Sequence, residues 1–155
     1  MTINQSIPEK SKNKSIAGHT EPEFIASCAR VLVIDDMRTN LAVIEAMLDS
    51  FDIQPDLASD GTTAISLAQN IQYDLILTDY MMPKMDGIET ARHIRAIKGK
   101  NGEMPIIALT SNISEQAEKM FLSHGFNAVL PKPMGYDILN ICLRKWLPAH
   151  LIKEI

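Results

Sequence analysis

An alternation of short apolar runs with longer amphipathic stretches constrains the fold of this chain more than any other feature of its sequence. After residue 30, five short runs, most of them rich in Val, Ile and Leu, are each followed by a stretch with apolar residues at helical spacing. The predicted strands are 31–34, 53–58, 74–78, 105–110 and 127–130. The predicted helices are 39–51, 59–71, 88–97, 113–124 and 135–147. Such an alternation is typical of an α/β protein in which helices cover both faces of a parallel sheet.

Two of the predicted strands indicate how the sheet is arranged. The run 31–34 is apolar throughout, as expected for a strand covered on both faces. The run 53–58 contains Pro55, which lacks a backbone N–H and is therefore expected at the edge of the sheet. These features are compatible with a doubly wound, flavodoxin-like sheet of five parallel strands, for which we expect the order 2-1-3-4-5.

Both ends of the chain differ from this regular part. Residues 1–20 are polar with few apolar side chains, so we predict a flexible tail over residues 1–29, with one helical turn at 21–26. The ordered domain is expected at 30–147, followed by a short C-terminal extension at 148–155. A DNA-binding module needs roughly 50 or more residues, and the extension 148–155 is far shorter than that. We therefore predict a stand-alone domain.

Composition and charge narrow the function classes. Fifteen Lys and Arg face nineteen Asp and Glu, and this net charge of -4 argues against a general nucleic-acid-binding protein. Arg92, Arg95 and Lys98 on the third predicted helix are expected to form a solvated face. The sequence shows neither an apolar run of ~18–20 residues nor a secretory signal, so a cytoplasmic protein without membrane contact is expected. Cys28 and Cys142 lack the spacing of a zinc site and are predicted to be inert thiols.

Reactive side chains lie at the ends of four of the five predicted strands. Asp35 and Asp36 follow the first strand, Asp79 the third, Thr110 ends the fourth and Lys132 follows the fifth. Open α/β sheets bind ligands outside the carboxyl ends of their strands, where the strand order reverses. The order 2-1-3-4-5 makes the first and third strands neighbours. The three carboxylates are therefore expected in one pocket, closed on its other side by Thr110 and Lys132.

This combination of side chains indicates phosphoryl transfer. Clustered carboxylates raise one another's pKa, so an ionised cluster needs a cation, and an all-oxygen site with room for water suits Mg²⁺. A carboxylate beside Mg²⁺, a hydroxyl and a Lys can attack phosphorus in line and form an acyl phosphate. Taken singly, each residue has an ordinary alternative as a helix cap, a turn residue or a solvated charge. The joint pattern favours the site.

Four segments resemble the receiver domain of two-component response regulators. They are Val31-Leu32-Val33-Ile34-Asp35-Asp36, Asp79-Tyr80-Met81-Met82-Pro83-Lys84-Met85-Asp86-Gly87, Ala108-Leu109-Thr110 and Lys132-Pro133. The likeness covers residues 30 to about 147. It implies a signalling phosphoacceptor that catalyses its own phosphorylation and dephosphorylation, rather than an enzyme acting on other substrates.

The resemblance assigns roles to the acidic residues. It implies that Asp79 is the phosphoacceptor, and that the carboxylates of Asp36 and Asp79 with the backbone carbonyl of Met81 bind Mg²⁺. Asp35 would act through water or hold the surrounding shell. The phosphoryl donor would be a phosphohistidine of a sensor kinase or of a histidine phosphotransfer domain.

The resemblance also implies contacts to the phosphoryl group itself. Thr110 would donate a hydrogen bond to one of its oxygens, and Lys132, joined to Pro133 by a cis peptide, would pair with its charge. The family usually places Tyr or Phe three residues before this Lys, where the chain has Val129. Because Val has no ring to move between buried and exposed positions, the route by which a signal leaves the domain is left open.

The first predicted helix is the expected partner surface. Its predicted core face consists of the apolar residues Val43, Ile44, Met47, Leu48 and Phe51. Met37 and Leu41 fall on another stripe, beside the acidic pocket. The resemblance implies that the helical bundle of a histidine kinase or phosphotransfer domain docks against this second stripe.

Other functions stay open at this point. A receiver-like scaffold would bind a partner without phosphorylation, which Val129 favours and the complete acceptor set opposes. A phosphohydrolase with an aspartyl nucleophile would carry a second acid where this chain has Met81. A nucleotide-binding flavodoxin-like protein needs a phosphate loop after the first strand, where Asp35 and Asp36 would repel phosphate. The chain is also compatible with a receiver excised from a hybrid histidine kinase.

Overall fold

Strands and helices alternate along the chain in a computed structural model that describes residues 22–82, 85–97, 99 and 102–155. The strands are β1 Phe24–Ile25, β2 Val31–Ile34, β3 Asp56–Ala58, β4 Leu75–Asp79, β5 Ile106–Thr110, β6 Ala128–Pro131 and β7 Lys153–Glu154. The helices are α1 Arg38–Asp49, α2 Gly61–Asn70, α3 Gly87–Arg95, α4 Glu115–Ser123, α5 Tyr136–Trp146 and a 3-10 helix Ala149–Leu151. Some predicted features lie outside the described residues. They are residues 1–21 of the predicted tail, Pro83 and Lys84 in the segment 79–87, and Lys98.

Strands β2 to β6 form one parallel sheet in the order β3-β2-β4-β5-β6. Counted from β2, this is the predicted order 2-1-3-4-5, so the doubly wound, flavodoxin-like fold is confirmed. β3 begins directly after Pro55 and lies at the predicted edge. The register pairs Ile34 with Thr78 and Thr110 with Pro131, which brings the carboxyl ends of the strands level with one another.

Two apolar clusters lie on opposite faces of this sheet. Val31 and Val33 of β2 point into a cluster shared with α1 and α5, whereas Leu32 and Ile34 point into one shared with α2, α3 and α4. This alternation follows from the period of two along a strand. Among the described residues, no helix has the length and apolar character that a membrane span requires.

Helix α1 turns a different face toward the sheet from the one predicted. Leu41, Ile44 and Leu48 are buried, whereas Val43 is 57% exposed and Met37 54% exposed. The three buried positions are three and four residues apart and so share one side of the helix, while Val43 lies about 100° around the helix from Ile44. The prediction that Leu41 belongs to an exposed docking stripe is therefore wrong, and Val43 is not a core residue.

Residues 22–29 pack onto the domain, where the sequence predicted a continuation of the tail. Phe24–Ile25 forms β1 and pairs antiparallel with β7, in place of the predicted helical turn. The buried ring of Phe24 lies 4.9 Å from the ring of Phe51 at the end of α1. We call β1, β7 and Arg144 the terminal clasp. The Arg144 guanidinium lies 4.6 Å from the centre of the Phe24 ring and donates two hydrogen bonds of 2.9 Å to Glu154.

Arg95 on α3 is a structural residue, which corrects the prediction that it faces solvent. Its half-buried guanidinium donates hydrogen bonds to the carbonyl oxygens of Gly125, at 3.0 and 2.8 Å, and Met104, at 2.5 Å. It also donates to Oδ1 of Asn127 at 2.6 Å. Burial lowers the pKa of Arg95. Arg92, by contrast, has a side chain that is 71% exposed, as predicted.

Candidate functional site

Three carboxylates meet at the carboxyl end of the sheet. Asp35 and Asp36 follow β2, and Asp79 is the last residue of neighbouring β4. One oxygen from each of the three carboxylates lies within 4.8 Å of the other two. Asp35 and Asp79 are buried, and Asp36 is exposed. The structure therefore brings together the acidic residues that the sequence predicted to converge.

Lys132, which directly follows β6, reaches this acidic cluster from the other side. Its Nζ lies 2.9 Å from Oδ1 of Asp79 and 3.9 Å from Oδ2 of Asp35. The Lys132–Pro133 peptide is cis, as the resemblance implied. Thr110 is buried at the end of β5, which neighbours β4, and its Oγ1 accepts a hydrogen bond from the Asn112 N–H at 3.1 Å.

The charge on Asp79 is balanced between opposing influences. Burial raises the pKa of the Asp79 carboxyl most strongly, and the negative charge of Asp35 raises it further. The hydrogen bond and positive charge of Lys132 lower this pKa, as does the Met81 N–H. The single positive charge of Lys132 balances only part of the negative charge of the three carboxylates. A divalent cation among them would therefore favour the ionised form of Asp79.

Asp35 is held in place by the start of α1. Its Oδ1 accepts a hydrogen bond from the Met37 N–H at 2.9 Å, and its Oδ2 accepts one from Nδ2 of Asn40 at 3.1 Å. Helix α1 begins at Arg38, so Asn40 lies in its first turn. The signal that could have identified Asn40 is its place in the first helical turn after the acidic pair.

Gly87 is required because two backbone segments approach each other closely at this position. The Gly87 N–H donates a hydrogen bond to the Tyr80 carbonyl oxygen at 2.9 Å. A Cβ atom on Gly87 would lie 2.7 Å from the Asp79 carbonyl oxygen and 3.0 Å from Cα of Tyr80. Any side chain here would displace the backbone of Asp79 and Tyr80. The start of α3 is capped by Asp86, which accepts the Glu89 N–H at 2.9 Å.

An apolar groove of about 160 Å³ opens beside the cluster, between α1 and the loop that precedes α5. It is lined by Val43 and Met47 from α1 and by Lys132, Pro133 and Met134 from the loop. The sequence placed Val43 and Met47 in the core, so this groove was not predicted. Most of its lining side chains are apolar, and Asp35 and Lys132 of the charged site line it as well.

Residues 31–143 match the family model for the response regulator receiver domain. The chain belongs to the response regulator receiver family. The matched range contains all five strands of the parallel sheet, the acidic cluster, Thr110 and Lys132. The terminal clasp lies outside the matched range, with β1 before it and Arg144 and β7 after it.

The relatives of this chain include a transcription factor and a sensor protein. The chain is 34% identical over 152 residues to the transcription factor Skn7 of Saccharomyces cerevisiae, covering 97% of the chain and 24% of Skn7. It is 36% identical over 120 residues to the sensor protein EvgS of Escherichia coli, covering 77% of the chain and 10% of EvgS. The chain thus spans a quarter or less of the length of these relatives.

Two solved structures with the same fold contain a further component, a metal ion in one and a partner protein in the other. The receiver domain of sensor histidine kinase PA1611 from Pseudomonas aeruginosa has a magnesium ion in its active-site cleft. It matches with a TM-score of 0.70 and 36% identity, covering 76% of this chain and 96% of that one. A co-crystal of the Saccharomyces cerevisiae phosphotransfer protein Ypd1 with the receiver domain of Ssk1 matches with a TM-score of 0.71 and 28% identity, covering 76% of this chain and 88% of that one.

Proposed function

We propose that this receiver domain accepts a phosphoryl group on Asp79 from a phosphohistidine, in a two-component phosphorelay. The observation that carries the proposal is the meeting of three carboxylates within 4.8 Å with the Lys132 ammonium 2.9 Å from Oδ1 of Asp79. Membership of the receiver family supports the same role. Asp79 lies at the end of its strand, beside the exposed carboxylate of Asp36.

The acidic cluster fits Mg²⁺. Carboxylate oxygens are the ligands that this hard cation prefers, and the cluster leaves one carboxylate exposed, where water can complete the coordination. We assign Asp36, Asp79 and the Met81 backbone carbonyl as ligands, with Asp35 acting directly or through water. When bound, Mg²⁺ supplies positive charge that offsets the charge on the transferring phosphoryl group. Magnesium in the cleft of the PA1611 receiver supports this assignment.

The chain's own residues account for the transfer. A carboxylate oxygen of Asp79 attacks the phosphorus atom in line, a P–O bond forms, and the P–N bond to the donor histidine breaks with its electron pair on the ring nitrogen. Lys132 and the Thr110 hydroxyl hydrogen-bond the phosphoryl oxygens. Later attack by water on the same phosphorus releases phosphate and restores Asp79. The domain is therefore a signalling protein that catalyses its own phosphorylation and dephosphorylation, rather than an enzyme that acts on other substrates.

We assign the donor surface to the exposed side of α1 and the groove beside it. Met37 and Val43 are more than half exposed, and Met47 lines the groove next to them. Val43 and Met47 line the same groove as Lys132, whose Nζ lies 2.9 Å from Asp79, so a histidine kinase or phosphotransfer domain seated there would bring its phosphohistidine near Asp79. The co-crystal of Ypd1 with the Ssk1 receiver supports a partner of this class.

Intact mass spectrometry tests the acceptor. With Mg²⁺ and acetyl phosphate, the wild type is expected to gain one phosphoryl group, and Asp79→Asn is expected to gain none. Asp52→Asn, at an exposed site away from the cluster, is the matched control and retains labelling. Labelling of Asp79→Asn would identify a different acceptor, and an unlabelled wild type would favour the scaffold function.

A second experiment tests the donor surface separately. Phosphotransfer profiling against the histidine kinases and phosphotransfer domains of the same organism identifies a protein donor. Met37→Asp and Val43→Asp are expected to slow transfer from that donor while leaving acetyl phosphate labelling unchanged. Ile141→Asp on α5, which is 67% exposed, is the matched control. Equal slowing with acetyl phosphate would show that the substitutions disturb the acceptor instead of docking.

A further inference from the structure

Tyr80 connects the acceptor strand to α4. It directly follows Asp79, and its half-buried ring meets the ring of Phe121 edge-on, with centroids 4.9 Å apart and planes at 87°. Phe121 meets Phe126 in the same manner, at 5.4 Å and 86°. Three rings therefore form a continuous path from the residue next to the acceptor, through α4, to the turn that precedes β6.

The backbone of Tyr80 is held on both sides, so a displacement of Asp79 has little room to relax locally. The Tyr80 N–H donates to the carbonyl oxygen of Leu109 in β5 at 3.3 Å, and the Tyr80 carbonyl accepts the Gly87 N–H at 2.9 Å. The space that a Cβ of Gly87 would need is already filled by Asp79 and Tyr80. With its backbone held in this way, Tyr80 has its side chain as the remaining part that a change at Asp79 can shift.

Helix α4 is held to the domain by a narrow contact. Of its nine residues, all of which the structure describes, Phe121 alone is buried. Ala117 and Met120 are partly buried against the same apolar cluster. A helix anchored through one fully buried ring can shift with that ring, because few other side chains must repack.

We infer that Tyr80 couples the state of Asp79 to the position of α4 through its edge-on contact with Phe121. This inference rests on the proposed function, since it requires that the Asp79 carboxylate be phosphorylated. In the unmodified domain, Oδ1 of Asp79 accepts a hydrogen bond from Lys132 Nζ at 2.9 Å and one from the Met81 N–H, the residue after Tyr80, at 3.4 Å. A phosphoryl group on this carboxylate changes both contacts, and the Tyr80 ring carries the change to α4.

Amide chemical shifts of the full chain, with and without Mg²⁺ and the phosphate mimic beryllofluoride, test the coupling. In the wild type and in Tyr80→Phe, which keeps the ring, shifts are expected both at residues 79–82 and along Glu115–Ser123. In Tyr80→Leu, the shifts at 79–82 persist and those along α4 fall to about half or less, because the ring contact is lost. Phe121→Leu is expected to have the same effect from the other side of the contact.

Val129→Ala is the matched control, because Val129 is also half buried against the cluster that contains Phe121. It is expected to keep the α4 response. An α4 response of wild-type size in Tyr80→Leu overturns the coupling, as does a wild type in which 79–82 respond and α4 does not. A mimic that perturbs neither region contradicts the proposed function itself. Should Phe121→Leu fail to fold, Tyr80→Leu at its half-exposed site decides the matter.

Discussion

Lys132 Nζ lies 2.9 Å from Oδ1 of Asp79, although the two residues are 53 positions apart in the chain. The contact exists because β4 and β6 both end at the same edge of the sheet, one on each side of β5. It places a positive charge beside the Asp79 carboxylate, and this charge lowers the pKa of Asp79 against the larger effect of burial.

Replacing this ammonium is expected to slow phosphorylation. Lys132→Gln keeps most of the side-chain volume but removes the charge, and a hydrogen bond to a charged group contributes about 1.5 kcal/mol or more, so labelling by acetyl phosphate should slow about tenfold or more. Time-resolved intact mass spectrometry measures the rate. Lys119→Gln, whose side chain is 76% exposed, is the control and should match the wild type. An unchanged rate in Lys132→Gln would remove Lys132 from the transfer step.

Magnesium is expected to stabilise the folded domain. A cation that binds only the folded state at tenfold above its Kd contributes about 1.4 kcal/mol, which for a domain of this size raises Tm by roughly 3–5 °C. Asp36→Ala removes one carboxylate of the cluster and should abolish most of this rise. Glu45→Ala, at an exposed position on α1, should respond like the wild type. A wild-type Tm that ignores Mg²⁺ up to tens of millimolar argues against the assigned site.

The sheet and the acidic cluster were predictable because both depend on short-range patterns. Each buried strand is a continuous apolar run, and in a parallel sheet the strand ends alone bring Asp36, Asp79 and Lys132 to one edge. The exposed face of α1 was not predictable in the same way. Val43 and Ile44 are adjacent apolar residues about 100° apart on the helix, so periodicity allows either to face the sheet, and only tertiary packing selects Ile44.

Long-range pairing explains the other differences. β1 contains two residues, too few to show any period, and its partner β7 lies at the opposite end of the sequence. Arg95 sits among charged neighbours on α3, but its hydrogen-bond acceptors belong to the turns before β5 and β6. Neither contact leaves a local signal. The Tyr80 contact with Phe121 was hidden for the same reason, since the two rings come from separate βα units.

Removing the Phe24 ring is expected to destabilise the domain. Phe24 is fully buried against Phe51, and truncating a buried Phe to Ala typically costs about 3–5 kcal/mol. Urea denaturation of Phe24→Ala should therefore show a clearly lower midpoint. Ile155 directly follows β7 and is 73% exposed, so Ile155→Ala should change the free energy of unfolding by less than about 0.5 kcal/mol. A Phe24→Ala midpoint equal to that of the wild type would restore the tail prediction for residues 22–29.

Two arginines on α3 offer a matched comparison. Arg95→Ala leaves the carbonyl oxygens of Gly125 and Met104 without their donor and should destabilise the domain by about 2–4 kcal/mol. Arg92→Ala, on the exposed side of the same helix, should fall within about 0.5 kcal/mol of the wild type. Urea midpoints at neutral pH measure both effects. Equal midpoints for the two variants would contradict the structural role of Arg95.

The terminal clasp should depend on pH through Glu154. Two hydrogen bonds from Arg144 lower the pKa of this carboxyl from its ordinary value of 4.5. The unfolded chain then binds a proton at Glu154 more readily than the folded chain, so this contribution to stability is complete above about pH 4.5 and is lost as the pH falls through the folded pKa. A carbon-13 titration of the Glu154 carboxyl should give a midpoint below 4.5 in the wild type and a higher one in Arg144→Gln. If the Glu154 midpoint is the same in both proteins, the guanidinium does not hold this carboxylate in solution, and the clasp depends on β1–β7 pairing and the burial of Phe24 alone.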